Sequence, residues 1–315
     1  MKLSLVVPCY NEQDNVQEFY HCTKACFKGH IDDYEIVFVN DGSADKTLEK
    51  LKTLVEYDEP NLQIISFSRN FGKESAIYAG LARSKGERVC IIDADLQQRP
   101  EVVLEMMKIM DSKPETDCVC AYQEKRKESG LMSFTKSMFY KIINKLSEVD
   151  FVNGASDFRL MNRTMVNTIL SMTEYHRFSK GIFGWIGFKT HWLPYKNVER
   201  IAGETKWNFW GLFKYSLEGI INFSQAPLSI ASLTGLFLTF VSFCAILFIV
   251  VRKLIFGDPV AGWASTACII LLMGGLQLLC MGIMGQYIAK TYLEVKKRPH
   301  FIIAETNDES AKLVQ

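Results

Sequence analysis

The sequence predicts an α/β fold, a parallel sheet covered by helices, joined to a pair of long apolar helices. Three observations lead there. Short β-branched runs at Leu3 to Val7, Glu35 to Asn40, Leu62 to Phe67 and Arg88 to Asp93 alternate with helix-length segments at about 13–27, 45–57, 73–84 and 100–111. Each run is followed by a polar cluster, PCYNE, NDGSAD, SRNFGKE and DADLQ in turn. Finally, no charged residue occurs from Gly219 to Val251 or from Pro259 to Ala289, and each stretch exceeds the roughly 20 apolar residues that cross a bilayer.

The first strand follows directly on the initiating Met1, and its apolar run stops at Pro8. This is too short for a signal peptide, so the N-terminal domain is expected in the cytosol. The formal charge of +1 on 315 residues gives no basic field, which argues against nucleic acid as a partner. Nine cysteines are scattered without a CxxC pair or a matching His spacing, and they read as reduced, mostly buried thiols.

The apolar stretches place spans at about 229–251 and 264–287, within a hairpin over 228–289. Gly274, Gly275, Gly282 and Gly285 offer small surfaces on which the second helix could pack closely against its partner. A hairpin returns the chain to its starting side, so Lys290, Lys296, Lys297 and Arg298 lie with the N-terminal domain, and positive-inside reasoning makes that side cytoplasmic. Arg252 and Lys253 in the opposite loop work against that asymmetry. Residues 207–227 carry Trp207, Trp210, Phe213, Leu217 and Ile220 at nearly helical spacing, which suits an interfacial helix or ordinary packing on the domain. The same pair of readings applies to the amphipathic stretch from Leu131 to Leu146. The polar tail, 290–315, is expected to be mobile after Phe301.

In open parallel sheets ligands bind beyond the carboxyl ends of the strands, so the four polar clusters are the place to look for chemistry. DADLQ puts Asp93 and Asp95 on one side of an extended chain, with Gln97 two residues on. Oxygen ligands of this kind suit a hard divalent cation that keeps phosphate oxygens and waters in its shell. A DxD pair alone is equally an acidic turn capping the next helix. In NDGSADKT, Gly42 fits a tight turn, Ser43 and Asp45 fit caps, and Asp41 is left for a ligand hydroxyl or base edge. PCYNE offers Tyr10 for stacking and Glu12 for hydrogen bonding, while Asn11 and Asp14 suit a helix start. Arg69, Asn70, Gly72 and Lys73 add charge and a yielding backbone of the kind a diphosphate requires.

In order, PCYNE, NDGSADKT, SRNFGKESAIYAGL, DADLQQRP, SDFRLMNR and RIAGETKW, followed by the hairpin, resemble family 2 glycosyltransferases of the GT-A fold. Within that family the likeness is to polyprenyl-phosphate glycosyltransferases related to dolichol-phosphate mannose synthase, and above all to bactoprenol glucosyltransferases. The resemblance implies a GT-A, Rossmann-like catalytic domain over 1–206 and an inverting transfer of a sugar, glucose from UDP-glucose first, to polyprenyl (undecaprenyl) phosphate. It implies that Pro8, Tyr10, Glu12 and Asp41 bind the nucleoside, with Arg69 and Lys73 on the diphosphate. Asp93, Asp95 and Gln97 would hold the nucleotide and Mg2+ or Mn2+. Asp157 stands where the family has its acceptor-side carboxylate, as base or orienting group, or else simply pairs with Arg159 or Arg163. Arg200 and Lys206 would approach the phosphates. Lys125 and Arg126, with Arg159, would take the acceptor phosphate, unless the loop pair is merely solvated. Membrane lipid and a homo-oligomer, dimer or tetramer, complete the expected partners.

Two other classes fit less well. A processive polysaccharide synthase would carry QxxRW and more spans, and a non-catalytic sugar-nucleotide sensor or scaffold would have no need of an intact DADLQ. A dinucleotide oxidoreductase lacks its GxGxxG after the first strand.

Overall fold

The computed structural model describes residues 2–56, 61–123, 155–175, 177–195, 226–256 and 262–308. The alternating strands and helices form as the hydrophobic pattern requires: β1 (Leu3–Cys9), α1 (Val16–Phe27), β2 (Tyr34–Asn40), α2 (Thr47–Val55), β3 (Leu62–Phe67), α3 (Lys73–Arg83), β4 (Arg88–Ile91) and α4 (Pro100–Ser112). They continue into β5 (Cys118–Gln123), β6 (Ala155–Asn162), α5 (Arg163–Ser171), α6 (Ser179–Trp185) and β7 (Thr190–Tyr195). The two long helices α7 (Ala226–Phe256) and α8 (Trp263–Lys296) follow, and β8 (Ile303–Thr306) is the last element among the described residues.

The sheet is mixed rather than purely parallel. Its order is β7-β5-β6-β4-β1-β2-β3-β8. The four sequence-legible strands pair in parallel, while β6 runs antiparallel to both β4 and β5, and β8 antiparallel to β3. Strand alternation divides the core between the two faces. Leu3, Leu5 and Val7 of β1 pack with Phe19 and Phe27 of α1, Leu51 of α2 and Met106 of α4, whereas Val6 packs with Ile77 and Leu81 of α3. Gly80 lets α3 approach this second face closely, since a Cβ there would lie 2.2 Å from Val6 Cγ1. At the far end of the strands, buried Glu35 accepts from Ser4 Oγ (2.6 Å) and from the Lys85 amide (2.6 Å), locking β1, β2 and the approach to β4 together.

The C-terminal segment departs from the expected mobile tail. Phe301 stacks on Phe67 with ring centroids 4.9 Å apart, the Ser68 amide donates to the Ile302 carbonyl (3.0 Å), and β8 completes the β3 edge. Asn307 closes the strand from both sides: its Oδ1 accepts from the Ile64 amide (2.8 Å) and its Nδ2 donates to the Leu62 carbonyl (2.7 Å). An exposed β3 edge offers a row of unpaired backbone groups, and satisfying them outweighs the polarity of the segment.

Helices α7 and α8 are linked through the short 257–262 connection and touch where the Cys280 thiol meets the Ala231 carbonyl at 3.8 Å. Among the described residues one segment, Leu272–Lys296, is long and apolar enough to cross a membrane by length and composition. Large apolar side chains on both helices face outward, including Leu233, Phe237, Phe240, Leu272 and Leu278, each more than 60% exposed. The expected close packing at Gly274, Gly275, Gly282 and Gly285 is not found, because an added Cβ at each meets nothing within 4 Å. The end of α8 returns to the sheet domain, where Glu294 accepts from the Tyr175 amide (2.8 Å) and His300 stacks on Tyr175. The proposed interfacial segment 207–227 and the stretch 131–146 lie outside the described residues, apart from the start of α7 at Ala226. No disulfide occurs among the described cysteines, and burial raises the Cys118 thiol to about 12.

Removing the Asn307 side chain deletes two bonds worth about 1–3 kcal/mol together. Asn307→Ala is expected to speed amide exchange at Ile64 at least several-fold, read by hydrogen–deuterium exchange, while β1 stays protected. Unchanged exchange at Ile64 would mean that β8 is held by its other contacts alone.

Candidate active site

The polar clusters meet in a cleft of about 280 Å³ at the carboxyl ends of the parallel strands. Pro8, Tyr10, Glu12, Asp41, Asn70, Gly72, Lys73, Asp93 and Asp95 all line it, with Cys9, Ala76 and Ala94.

Two of its walls hold each other. After β1, Asn11 takes a left-handed conformation (φ 55°), and its Oδ1 accepts from the Ala44 amide (3.0 Å), while its own amide donates to Ser43 Oγ (3.0 Å). Gln13 Oε1 accepts from the Lys46 amide (3.1 Å), and Asp45 Oδ2 accepts from the Gln13 amide (3.2 Å). The Glu12 amide donates to Thr47 Oγ1 (2.9 Å). Asn11 and Ser43 therefore lace the β1 and β2 loops together rather than starting helices, and Asp45 also caps α2 through the Thr47 amide (3.0 Å).

Asp41 is committed to the backbone. Only 3% exposed, it accepts from the Phe71 amide (2.6 Å) and the Gly72 amide (2.9 Å). Burial pushes its carboxyl up, and the two amides with Arg69 pull against that without overcoming it. Besides lining the cleft, Asp41 therefore has a structural part: its two oxygens hold the turn that launches α3. Gly42 (φ 60°) makes this possible, since a Cβ there would fall 2.2 Å from the Arg69 carbonyl carbon.

The turn delivers Lys73 to the centre of the cleft. Its Nζ lies 2.7 Å from Asp93 Oδ1 and 3.1 Å from Asp157 Oδ2. Burial alone would lower this ammonium's pKa, but the two carboxylates raise it well above the ordinary lysine value. Asp157 arrives through the mixed sheet. β4 and β6 pair with Ile91 opposite Arg159, so extending that antiparallel register by two residues sets Asp93 opposite Asp157. Burial would raise the Asp157 carboxyl, yet Lys73, Lys180 and Arg159 together hold it below the usual carboxylate range.

DADLQ is not an extended strand end. β4 stops at Ile91, and the segment turns at once, with Leu96 in a left-handed conformation (φ 57°) that a branched side chain rarely adopts. The turn is held by Gln98, 6% exposed, whose Oε1 accepts from the Asp93 amide (2.9 Å) and whose Nε2 donates to Asp93 Oδ2 (3.1 Å). Asp95 Oδ1 accepts from the Gln97 amide (3.1 Å). Asp93 and Asp95 thus face one cleft through a tight turn and not through strand alternation.

Three predicted residues stand outside the cleft lining, and the first, Gln97, donates its amide to Asp95 Oδ1. Arg159 is 4% exposed, with its guanidinium 3.6 Å from the Phe183 ring centroid and its Nη2 donating to the Ser156 carbonyl (2.8 Å), which places it in the core and outside the cleft lining. Arg69 is exposed over the Phe71 ring, outside the cleft lining. Arg163 donates to the Gly86 carbonyl (2.8 Å) and to Ser84 Oγ (3.2 Å), so Asp157 pairs with neither arginine. Lys125, Arg126, Arg200 and Lys206 lie outside the described residues.

Other contributors were not foreseen. Glu74 accepts from the Ser179 amide (3.0 Å) and hydroxyl, tying the start of α3 to α6 and so bringing Lys180 near Asp157. Tyr195 is buried beside Ser156, with Asp93 and Asp95 near enough to raise its phenol pKa after burial has done most of that work. The second Gln of DADLQQ and the Glu of FGKE were visible as letters, but nothing in their spacing distinguishes them from solvated polar residues.

The described residues contain no cluster of three or more His, Cys, Asp or Glu side chains that could hold a metal by themselves. Two carboxylates in one cleft still fit the hard-cation pattern in which one or two protein oxygens are completed by substrate phosphates and water.

Asp41→Asn cannot accept both amide hydrogens, and the loss is expected to destabilise the ligand-free protein by about 1–3 kcal/mol, measured as a lower melting temperature. A residue that served only to bind a nucleoside would leave that temperature unchanged.

Known proteins resemble this chain over the same residues. The glycosyl transferase family 2 model matches residues 4–170, a range that includes every residue lining the cleft. A Bacillus subtilis glycosyltransferase, CsbB, is 43% identical over 97% of this chain and 92% of its own length. An Escherichia coli protein described as a prophage bactoprenol glucosyl transferase homolog is 40% identical over 96% of this chain and 98% of its own. The bactoprenol glucosyl transferase of Shigella phage SfII is 39% identical over 98% of this chain and 99% of its own. With a mixed α/β sheet, a family match spanning its whole cleft and relatives about 40% identical over nearly the full chain, the chain belongs to glycosyl transferase family 2.

Proposed function

We propose that this chain transfers a sugar from a nucleotide diphosphate, with UDP-glucose as the first donor to test, onto polyprenyl phosphate with inversion at the anomeric carbon. The observation that carries this reading is the near-complete overlap with bactoprenol glucosyl transferases, which extends beyond the catalytic sheet through both long helices.

The chemistry of the cleft supports it. A divalent cation, Mg2+ or Mn2+, on Asp93 and Asp95 would supply charge to the departing diphosphate. Tyr10, 41% exposed at the rim, would stack on a base, and Glu12, which accepts from Asn15 Nδ2 (2.6 Å), lines the same cleft. Lys73 stands between the donor and acceptor carboxylates. A phosphate monoester with a second pKa near 6 is already largely ionised at neutral pH, so its oxygen needs no strong base. Asp157 fits that requirement: a carboxyl held below its usual range is a weak base but a durable anion, suited to orienting the cations that receive the acceptor.

The outward apolar faces of α7 and α8 suit insertion of both helices as a hairpin in the cytoplasmic membrane. Because the end of α8 is tied to the sheet domain through Tyr175 and Glu294, the domain and both termini would share the cytoplasmic side. A long prenyl chain could then remain in the bilayer while its phosphate reaches the cleft.

Purified protein incubated with undecaprenyl phosphate, Mg2+ and a panel of sugar nucleotides is expected to yield a sugar-phosphate-prenyl product by mass spectrometry. UDP-glucose should give the highest rate, and Asp157→Asn, by loosening the cations that position the acceptor, should lower kcat at saturating acceptor by about 10²-fold. The absence of such a product from every donor would reject the function, and full turnover by Asp157→Asn would reject the role given to Asp157.

A further inference from the structure

The position of Lys73 implies a control on cation binding, an inference that rests on the donor-site reading above. Asp93 is not a free carboxylate. Gln98 fixes its orientation by bonding both its amide and Oδ2, which leaves Oδ1 directed at the Lys73 ammonium at 2.7 Å. Lys73 is fixed at its base as well, because the preceding Gly72 amide is held by Asp41. Only the four-carbon stem of Lys73 can move, and it has a second anchor in Asp157 at 3.1 Å.

A divalent cation sharing Asp93 Oδ1 would therefore sit within a few ångströms of a fixed-base ammonium. At such a separation the repulsion between a double and a single positive charge is large even in a well-screened cleft. It is relieved when a diphosphate arrives, since the anion can accept from Lys73 and ligate the cation together. The other charges facing this point do not remove the conflict. Asp95 and Glu12 line the same cleft and attract the cation with or without nucleotide, and Lys180 and Arg159 act on Asp157 from the far side.

We propose that Lys73 is an internal competitor for Asp93 that makes divalent-cation binding conditional on the nucleotide diphosphate. Binding of the two ligands is then positively coupled, and by linkage the cation strengthens nucleotide binding by the same factor. The bridge to Asp157 gives the displaced ammonium a place to go, so filling the donor side draws Lys73 toward the acceptor-side carboxylate.

The test is Mn2+ binding to the full-length protein, followed by the electron paramagnetic resonance signal of free Mn2+ with and without UDP, and with no acceptor or sugar present. Without UDP, Lys73→Met and Lys73→Gln are expected to bind Mn2+ about tenfold more tightly than the unaltered protein, while Lys73→Arg, which keeps the charge, binds as weakly. With saturating UDP the advantage of the neutral variants should shrink to about twofold or reverse. Two neutral variants guard against a folding defect in either, with circular dichroism as the check. Neutral variants that bind Mn2+ no more tightly without UDP, an advantage that persists undiminished with UDP, or absence of Mn2+ binding to every form would overturn the proposal. Failure of the transfer assay alone would overturn the functional reading and leave this binding result standing.

Discussion

One ammonium between two carboxylates organises this molecule. Lys73 holds Asp93 and Asp157 within reach of a single charge, although they lie 64 positions apart in sequence, Asp93 just beyond β4 and Asp157 in the antiparallel β6. Two carboxylates this close would otherwise repel and raise each other's pKa. The lysine removes that cost, and the depressed Asp157 carboxyl is its signature. Around this point the chain spends its less usual local features: the left-handed Asn11 and Leu96, the positive φ at Gly42 and Gly72, and the buried Asp41 that receives two amides. Each is costly alone. Asp41 and Gly72 set where the Lys73 backbone sits, and Asn11 joins the β1 and β2 loops at the cleft wall.

The hydrogen bonds suggest a hierarchy of rigidity. The β1 and β2 loops are laced by reciprocal side-chain to amide bonds through Asn11, Gln13, Ser43 and Asp45, which makes this wall of the cleft a preformed unit. Gln98 does the same for Asp93. The catalytic sheet is in turn fixed to the long helices by β8 and by Glu294, so the height of the cleft above the outward-facing apolar surface is set by covalent and hydrogen-bonded geometry rather than by a tether. Under the proposed function, in which the acceptor phosphate would lie in a headgroup plane, a fixed distance matters as much as the charges at the site.

Much of this was legible in the chain. The first four strands announce themselves because β-branched runs in a parallel sheet are buried on both faces, and polar letters immediately after them mark the ligand edge. Asp93, Asp95 and Lys73 could be singled out on those grounds. Their relation could not, since it depends on β6 crossing back antiparallel beside β4, and no local pattern encodes a nonlocal partner. The same limit hid β8, whose polar letters resemble a tail until the β3 edge supplies its missing hydrogen bonds. Arg159 was misplaced for a related reason. Its charge suggests a phosphate, but its strand position turns it inward onto Phe183, where the ring face and the Ser156 carbonyl replace solvent.

The relatives extend the argument from the sheet to the whole chain, since the overlap includes the helices that no nucleotide pocket requires. That shared length joins donor chemistry to a lipid-borne acceptor in one reading. Its most direct test is the location of Mn2+ by anomalous diffraction in crystals grown with UDP. The account predicts a single strong peak in the cleft, ligated by Asp93 and Asp95, with the diphosphate against it and within hydrogen-bonding reach of Lys73. A nucleotide bound outside the cleft, or an ion ligated by neither aspartate, would contradict it.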